Sequence, residues 1–140
     1  MNEYKIIGID PGLKSTGYGI VTIKEKKISY LASGKIITNP KDQESVRLKE
    51  IFKGISEIVM KFKPTQAVVE KIFVNINASS TLALGQARGV AIAALAHHQM
   101  QINELTPLEI KKSVVGTGKA NKRQVQFMVK ELLKISEYPG

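Results

Sequence analysis

The chain has 140 residues, a length that is sufficient for one domain with a sizeable core and too short for several domains. Hydrophobic residues make up 43% of it, so we expect it to fold. With 21 Lys and Arg against 12 Asp and Glu, the net charge is +9, which favours a polyanionic partner, nucleic acid first and an anionic membrane second. The alternative reading is a well-solvated surface without such a partner. The absence of cysteine excludes disulfides and thiolate metal sites, and no apolar run reaches membrane-spanning length, so we expect a single cytoplasmic domain over residues 1–140 with no membrane partner.

The first half of the chain predicts a meander followed by a helix. Residues 4–10, 17–24 and 28–38 are strand-like runs joined by short turns, which indicates three antiparallel strands. From Ser45 to Phe62 apolar residues recur at helical spacing, and Pro64 ends this amphipathic helix.

The second half predicts strands that alternate with helices. A strand at 66–71 contains Glu70, and a helix over 79–97 is apolar almost all round, which indicates burial against the sheet or a partner subunit. A strand at 101–105, a short helix through Lys112, a glycine-rich loop at 116–121 and a last helix beginning at Asn121 follow. This order predicts an α/β fold with a five-stranded mixed sheet, an antiparallel meander plus parallel strands, flanked by helices.

Two acids end the two most apolar strands. Asp10 closes the first strand before a Pro-Gly turn and can be read as a turn former, but Glu70 favours neither strands nor buried sites. If the crossover helix places the strand 66–71 beside the first strand and parallel to it, both acids emerge at one edge and can share a cation. Oxygen ligands suit Mg²⁺. The adjacent His97 and His98 are expected to be surface or capping residues rather than ligands.

Basic residues cluster near the end of the chain. Between Glu109 and Glu131 there is no acid, and the basic residues there are Lys111, Lys112, Lys119, Lys122, Arg123 and Lys130. This distribution of charge favours nucleic acid over a merely solvated surface.

Three segments, "GIDPGLKSTGYGI", "VVEKIFVNINASSTLALGQARGVAI" and "KKSVVGTGKANKRQVQFMV", together resemble the RuvC family of Holliday junction resolvases, collinearly across nearly the whole chain. The D-x-G-x-x-x-x-G element alone occurs also in sugar kinases and actin-like ATPases, which are two-domain proteins far longer than this chain. The resemblance implies an RNase H-like fold, a homodimer, and symmetric nicking of four-way DNA junctions in recombination and repair. It further implies dependence on Mg²⁺, with Mn²⁺ able to substitute, and cooperation with the RuvA–RuvB branch-migration complex.

The resemblance also implies residue roles. Asp10 and Glu70 fall on catalytic, metal-binding acids of the family, and Phe73 falls on an aromatic residue at the junction centre, with core packing as its alternative reading. An exposed aromatic ring offers a face on which an unpaired base can stack. The expected DNA-binding residues are Phe73 with Lys111, Lys112, Lys119, Lys122 and Arg123. Lys111 and Lys122 are equally favoured as the lysine that assists catalysis.

The chain departs from the family pattern in one respect. The family places two further carboxylate or histidine ligands on a helix beyond the point where this sequence stops, so we expect that helix to be missing and residues 1–140 alone to cut junctions little or not at all. Of the later acids, Glu104 and Glu109 would be the first candidates to complete the site. Two alternative functions therefore stay open: a non-catalytic junction-binding module, and an RNA-acting relative with the same fold.

Overall fold

The computed structural model describes residues 3–25, 27–70 and 78–105. Five strands and two helices follow one another there: β1 (Glu3–Asp10), β2 (Ser15–Lys24), β3 (Lys27–Ile37), α1 (Glu44–Phe62), β4 (Gln66–Glu70), α2 (Ala78–His97) and β5 (Gln101–Leu105). The sequence-based bounds of these seven elements are confirmed to within two residues. The short helix through Lys112, the loop at 116–121 and the last helix lie outside the described residues.

The five strands form one mixed sheet in the order β3-β2-β1-β4-β5. The pairs β1–β2 and β2–β3 are antiparallel, which confirms the meander. β4 pairs in parallel with β1, and β5 pairs in parallel with β4, which confirms the crossover. β1, β4 and β5 consequently all end at the same edge of the sheet, here called the carboxyl edge.

The core lies between one face of the sheet and the two helices. Ile7 and Ile9 of β1 and Val69 of β4 are fully buried in a cluster with residues of both helices: Ile51, Ile55, Val59, Ala87, Ala91, Ala94 and Leu95. Because successive side chains of a strand point to opposite faces, Asp10 points away from this core while Ile9 points into it.

The end of α1 is fixed to the start of β1, and this contact sets β4 beside β1. Lys5 donates from Nζ to the carbonyl oxygen of Phe62 at 2.9 Å, which satisfies one of the unpaired carbonyls at the end of the helix. Lys63 then adopts a left-handed conformation, φ 54°, and the amide of Thr65 donates to the carbonyl of Lys5 at 3.0 Å. The chain therefore turns directly from α1 into a strand parallel to β1.

Only one side of α2 enters the core. Ala87, Ala91 and Leu95 are fully buried, whereas the opposite side carries a line of exposed residues: Leu82, Gly85, Gly89, Ala93 and Ala96. Of the predicted burial against the sheet or a partner subunit, the structure shows that one side of the helix packs in the core. Among the described residues, neither α1 nor α2 is long and apolar enough to span a membrane.

Candidate active site at the carboxyl edge

Asp10 and Glu70 occupy neighbouring positions at the carboxyl edge. Ile9 of β1 pairs in register with Val69 of β4, and the two acids are the next residues of their strands. Neighbouring strands lie about 4.8 Å apart, so the two backbone positions are adjacent. The predicted convergence of the two acids at one edge is therefore confirmed by the strand pairing.

The turn after Asp10 is held from within by Thr16. The Gly12 amide donates to Oγ1 of Thr16 at 3.2 Å, and the same hydroxyl donates to the Gly12 carbonyl at 2.7 Å. A Cβ at Gly12 would lie 2.4 Å from the carbonyl oxygen of Ser15, closer than real Cβ contacts. The glycine of the Asp-Pro-Gly sequence is therefore required by the close approach of the backbone to itself.

The same turn is held from outside by Thr38, which follows β3. Thr38 is buried, with 3% of its surface exposed. Its hydroxyl donates to the Leu13 carbonyl at 2.7 Å, and its backbone amide donates to the Lys14 carbonyl at 3.1 Å. Nε of Arg47 donates to the Thr38 hydroxyl at 2.9 Å. Sequence reasoning did not find Thr38 or Arg47, because they reach the turn from distant parts of the chain.

A row of paired residues extends from Asp10 across the meander. Asp10 pairs with Gly17 of β2, and Gly17 pairs with Lys35 of β3, so the acid and the lysine lie on one face with only glycine between them. Lys35 and Lys14 are both exposed. Positive charge therefore lies near Asp10 in addition to the basic segment predicted further along the chain.

Glu104 does not fit the role of an additional ligand. It pairs in register with Val69, whose side chain is buried on the helix side of the sheet, and its carboxylate forms an ion pair with Arg88 of α2. Residues in register on parallel strands point to the same face, so Glu104 faces α2 while Asp10 faces the other side. The position of Glu104 and its ion pair with Arg88 therefore give no support to it as a further metal ligand.

The other site residues named from sequence lie outside the described residues. These are Phe73, Lys111, Lys112, Lys119, Lys122 and Arg123, and with them Glu109. His97 and His98 lie at the end of α2 near the start of β5, far from the carboxyl edge, and their rings contact each other at 5.1 Å between centroids. In the described part of the chain, no group of three or more His, Cys, Asp or Glu residues could hold a metal.

The topology and the two acids define a class of protein. The sheet is a meander continued by parallel strands, with helices packed on it and acids at the ends of its first and fourth strands. This is an α/β fold of the RNase H-like type. Carboxylate oxygens at such an edge suit hard divalent cations, which can flank the attacking and leaving oxygens of a phosphodiester. This chemistry is the one that metal-dependent nucleases of this fold use.

Comparisons with known proteins specify the family. The profile of the family described as "Crossover junction endodeoxyribonuclease RuvC" matches residues 6–140. A protein of that name from Dechloromonas aromatica is 50% identical over 135 residues, which cover 96% of this chain and 75% of that protein. One from a Janthinobacterium species is 51% identical over 136 residues, with 97% and 75% covered. The chain belongs to the RuvC family and is thus an endonuclease that resolves Holliday junctions.

Solved structures agree with this assignment. Thermus thermophilus RuvC in complex with a Holliday junction substrate superimposes with a TM-score of 0.75 at 26% identity, covering 98% of this chain and 84% of that one. The yeast mitochondrial Holliday junction resolvase superimposes with a TM-score of 0.59 at 19% identity, covering 92% of this chain and 62% of that one. The second likeness supports the fold alone.

Proposed function

We propose that this chain cuts opposing strands of four-way DNA junctions symmetrically, as a homodimer, with Asp10 and Glu70 as ligands of the divalent metals. The observation that carries the proposal is the parallel pairing of β1 and β4, since Ile9 and Val69 are in register directly before the two acids. Family membership supplies the substrate class. We place the protein in the cytoplasm with its DNA, working with the RuvA–RuvB branch-migration complex.

Mg²⁺ is the metal that we propose, with Mn²⁺ as a substitute. Nucleases of this family depend on divalent metals, and the donors at this edge fit a hard cation, because both residues carry carboxylates and the chain has no cysteine. When bound, such ions lower the pKa of a water nucleophile and stabilise the leaving oxygen. The contribution of Asp10 and Glu70 is to supply negative charge at adjacent backbone positions.

The DNA-binding part of the proposal rests on charge. Lys111, Lys112, Lys119, Lys122 and Arg123 would contact phosphates, and Lys111 or Lys122 would stabilise charge that develops on the cleaved phosphate. Phe73 lies three residues after Glu70 in the sequence. We assign its ring to stacking on an unpaired base at the junction centre. Exposed Lys14 and Lys35 near Asp10 support a phosphate backbone passing along this side of the molecule.

The homodimer is proposed to form through the exposed side of α2. Leu82 is 64% exposed there, and a Cβ added at Gly85 or Gly89 would have no neighbour within 4 Å. Such a line of small and apolar residues at every third or fourth position lets a second helix approach closely. A dimer would bring two cutting sites to one junction.

The test incubates the full-length protein with a labelled four-way junction, a duplex of the same sequence or an RNA, each with Mg²⁺ or EDTA. We expect the junction alone to be nicked, at symmetric positions, and only with Mg²⁺. Binding of the junction with no cutting in any metal would indicate a non-catalytic module. Cutting of the RNA in preference to the junction would indicate an RNA-acting relative. Either result would overturn the proposal.

A further inference from the structure

Arg47 and Thr38 form a chain of hydrogen bonds that ends on the turn after Asp10. Nε of Arg47 donates to Oγ1 of Thr38 at 2.9 Å, and that hydroxyl donates its own proton to the carbonyl of Leu13 at 2.7 Å. The directions are consistent, because the single hydroxyl proton goes to the carbonyl and the oxygen accepts from the guanidinium. A hydroxyl that accepts from a cation is a stronger donor, so Arg47 strengthens the bond to Leu13.

Three further hydrogen bonds support the same turn. In the described structure, the amide of Thr38 also bonds the Lys14 carbonyl, and Thr16 bonds both backbone groups of Gly12. Thr16 therefore fixes the first half of the turn, and Thr38 fixes the second half. Both threonines are buried, so that their hydrogen bonds have little competition from water.

The location of Arg47 is unfavourable for the helix that carries it. Arg47 lies in the first turn of α1, where its amide donates to the carbonyl of Gln43 at 3.0 Å. The positive end of a helix dipole disfavours a cation there. A half-buried arginine at this point is therefore better explained by its bond to Thr38 than by helix stability.

We propose that Arg47 is a positioning residue for cleavage, acting through Thr38 to hold the turn at 11–14 and, with it, the backbone that carries Asp10. This inference rests on the proposed role of Asp10. Arg47 itself need not touch DNA or metal. Small displacements of a reacting group reduce rates strongly while binding is retained, because binding is spread over many phosphate contacts.

The test compares matched variants by single-turnover cleavage, junction affinity and thermal unfolding. Thr38→Val removes the hydroxyl and keeps the shape, whereas Thr38→Ser keeps the hydroxyl. Arg47→Gln removes the charge from the site, and Lys49→Gln removes one charge from an exposed position two residues along α1. We expect Thr38→Val and Arg47→Gln to slow cleavage by between about tenfold and 100-fold, with junction affinity within about threefold. Thr38→Ser and Lys49→Gln should cut like the wild type.

The double variant separates positioning from direct DNA contact. If Arg47 acts through Thr38, the combined Thr38→Val and Arg47→Gln substitutions should slow cleavage no more than the stronger single substitution does. Additive losses, together with weaker affinity and a smaller salt dependence for Arg47→Gln, would show that Arg47 contacts phosphate and would overturn the proposal. Wild-type cleavage by both single variants would also overturn it.

Hydrogen exchange supplies a readout that does not depend on cleavage. Thr38→Val and Arg47→Gln should both speed amide exchange at residues 12–16, whereas the control Lys49→Gln should leave that exchange unchanged. Unchanged exchange in both variants would overturn the positioning role even if cleavage falls. If instead Asp10→Asn cuts like the wild type, the proposed catalytic role of Asp10 fails, whatever the exchange results show.

Discussion

Asp10 and Glu70 each come one residue after a register pair, Ile9 with Val69, on neighbouring parallel strands. If both acids bind the metals, Asp10→Asn or Glu70→Gln in the full-length protein should lower junction cleavage by about 1,000-fold or more, because each substitution removes charge that offsets the metal ions. Junction affinity measured in Ca²⁺ or without metal should change little. A folded variant of either kind that cuts at nearly the wild-type rate would contradict the assignment.

A second prediction concerns the turn that carries Asp10 into β2. Gly12→Ala would place its Cβ 2.4 Å from the Ser15 carbonyl oxygen, and because that atom belongs to the backbone, the turn must shift. We expect cleavage to fall by at least about tenfold. Lys49→Ala, at an exposed position of α1, is the control and should cut normally. Equal cleavage by both variants would show that the turn tolerates displacement.

Much of the fold could be predicted because each element carries a local signal. Apolar runs mark β1 and β4, and helical spacing marks α1, so the order of elements leaves few topologies with a right-handed crossover. The convergence of Asp10 and Glu70 then follows from parallel pairing. These features depend on the spacing of apolar residues and on the order of the elements along the chain, and both can be determined from the sequence alone.

The contacts of the site could not be predicted in the same way. The hydrogen bond from Thr38 to Leu13 joins residues that are 25 positions apart. A threonine that follows a strand has the same local sequence pattern whether its hydroxyl bonds a distant turn or faces solvent. The face on which Glu104 lies could not be predicted either, because it depends on the register of β5 against β4. For α2, apolar composition cannot indicate which side meets the core.

The basic segment is expected to act by neutralising phosphates. Replacing Lys119, Lys122 and Arg123 together by Ala should weaken binding to junction and duplex alike, because these residues would contact phosphates rather than base edges. The slope of log affinity against log salt should become less steep by about 0.9 for each phosphate that is no longer neutralised. A titration of affinity from low to moderate salt measures this change. An unchanged slope would mean that these residues do not bind phosphates.

Phe73 should affect cutting more than binding. If its ring stacks on a base at the junction centre, Phe73→Ala should impair junction cleavage with a loss in affinity of only about 1–3 kcal/mol, while Phe73→Trp should retain function. Thermal unfolding is the control, because a core phenylalanine would cost about 3–5 kcal/mol of stability on truncation. A large fall in unfolding temperature would identify Phe73 as a core residue instead.

The exposed side of α2 gives the last prediction. Gly89 lies in the middle of the line of exposed residues on that helix, and a side chain added there meets nothing within 4 Å in the single chain. Gly89→Arg should therefore leave the fold of the protomer intact, and replacing a helical glycine even favours the helix by up to about 1 kcal/mol.

In a dimer that packs α2 against a second copy, the same substitution would bury a bulky charge at a close helix contact, which is costly without a partner. We expect Gly89→Arg to sediment as a monomer at concentrations where the wild type is dimeric, and to lose paired nicking of opposing strands. Gly89→Ala should remain dimeric, since alanine still permits close approach. A dimeric Gly89→Arg protein would place the interface on another surface and would leave the exposed side of α2 without an assigned role.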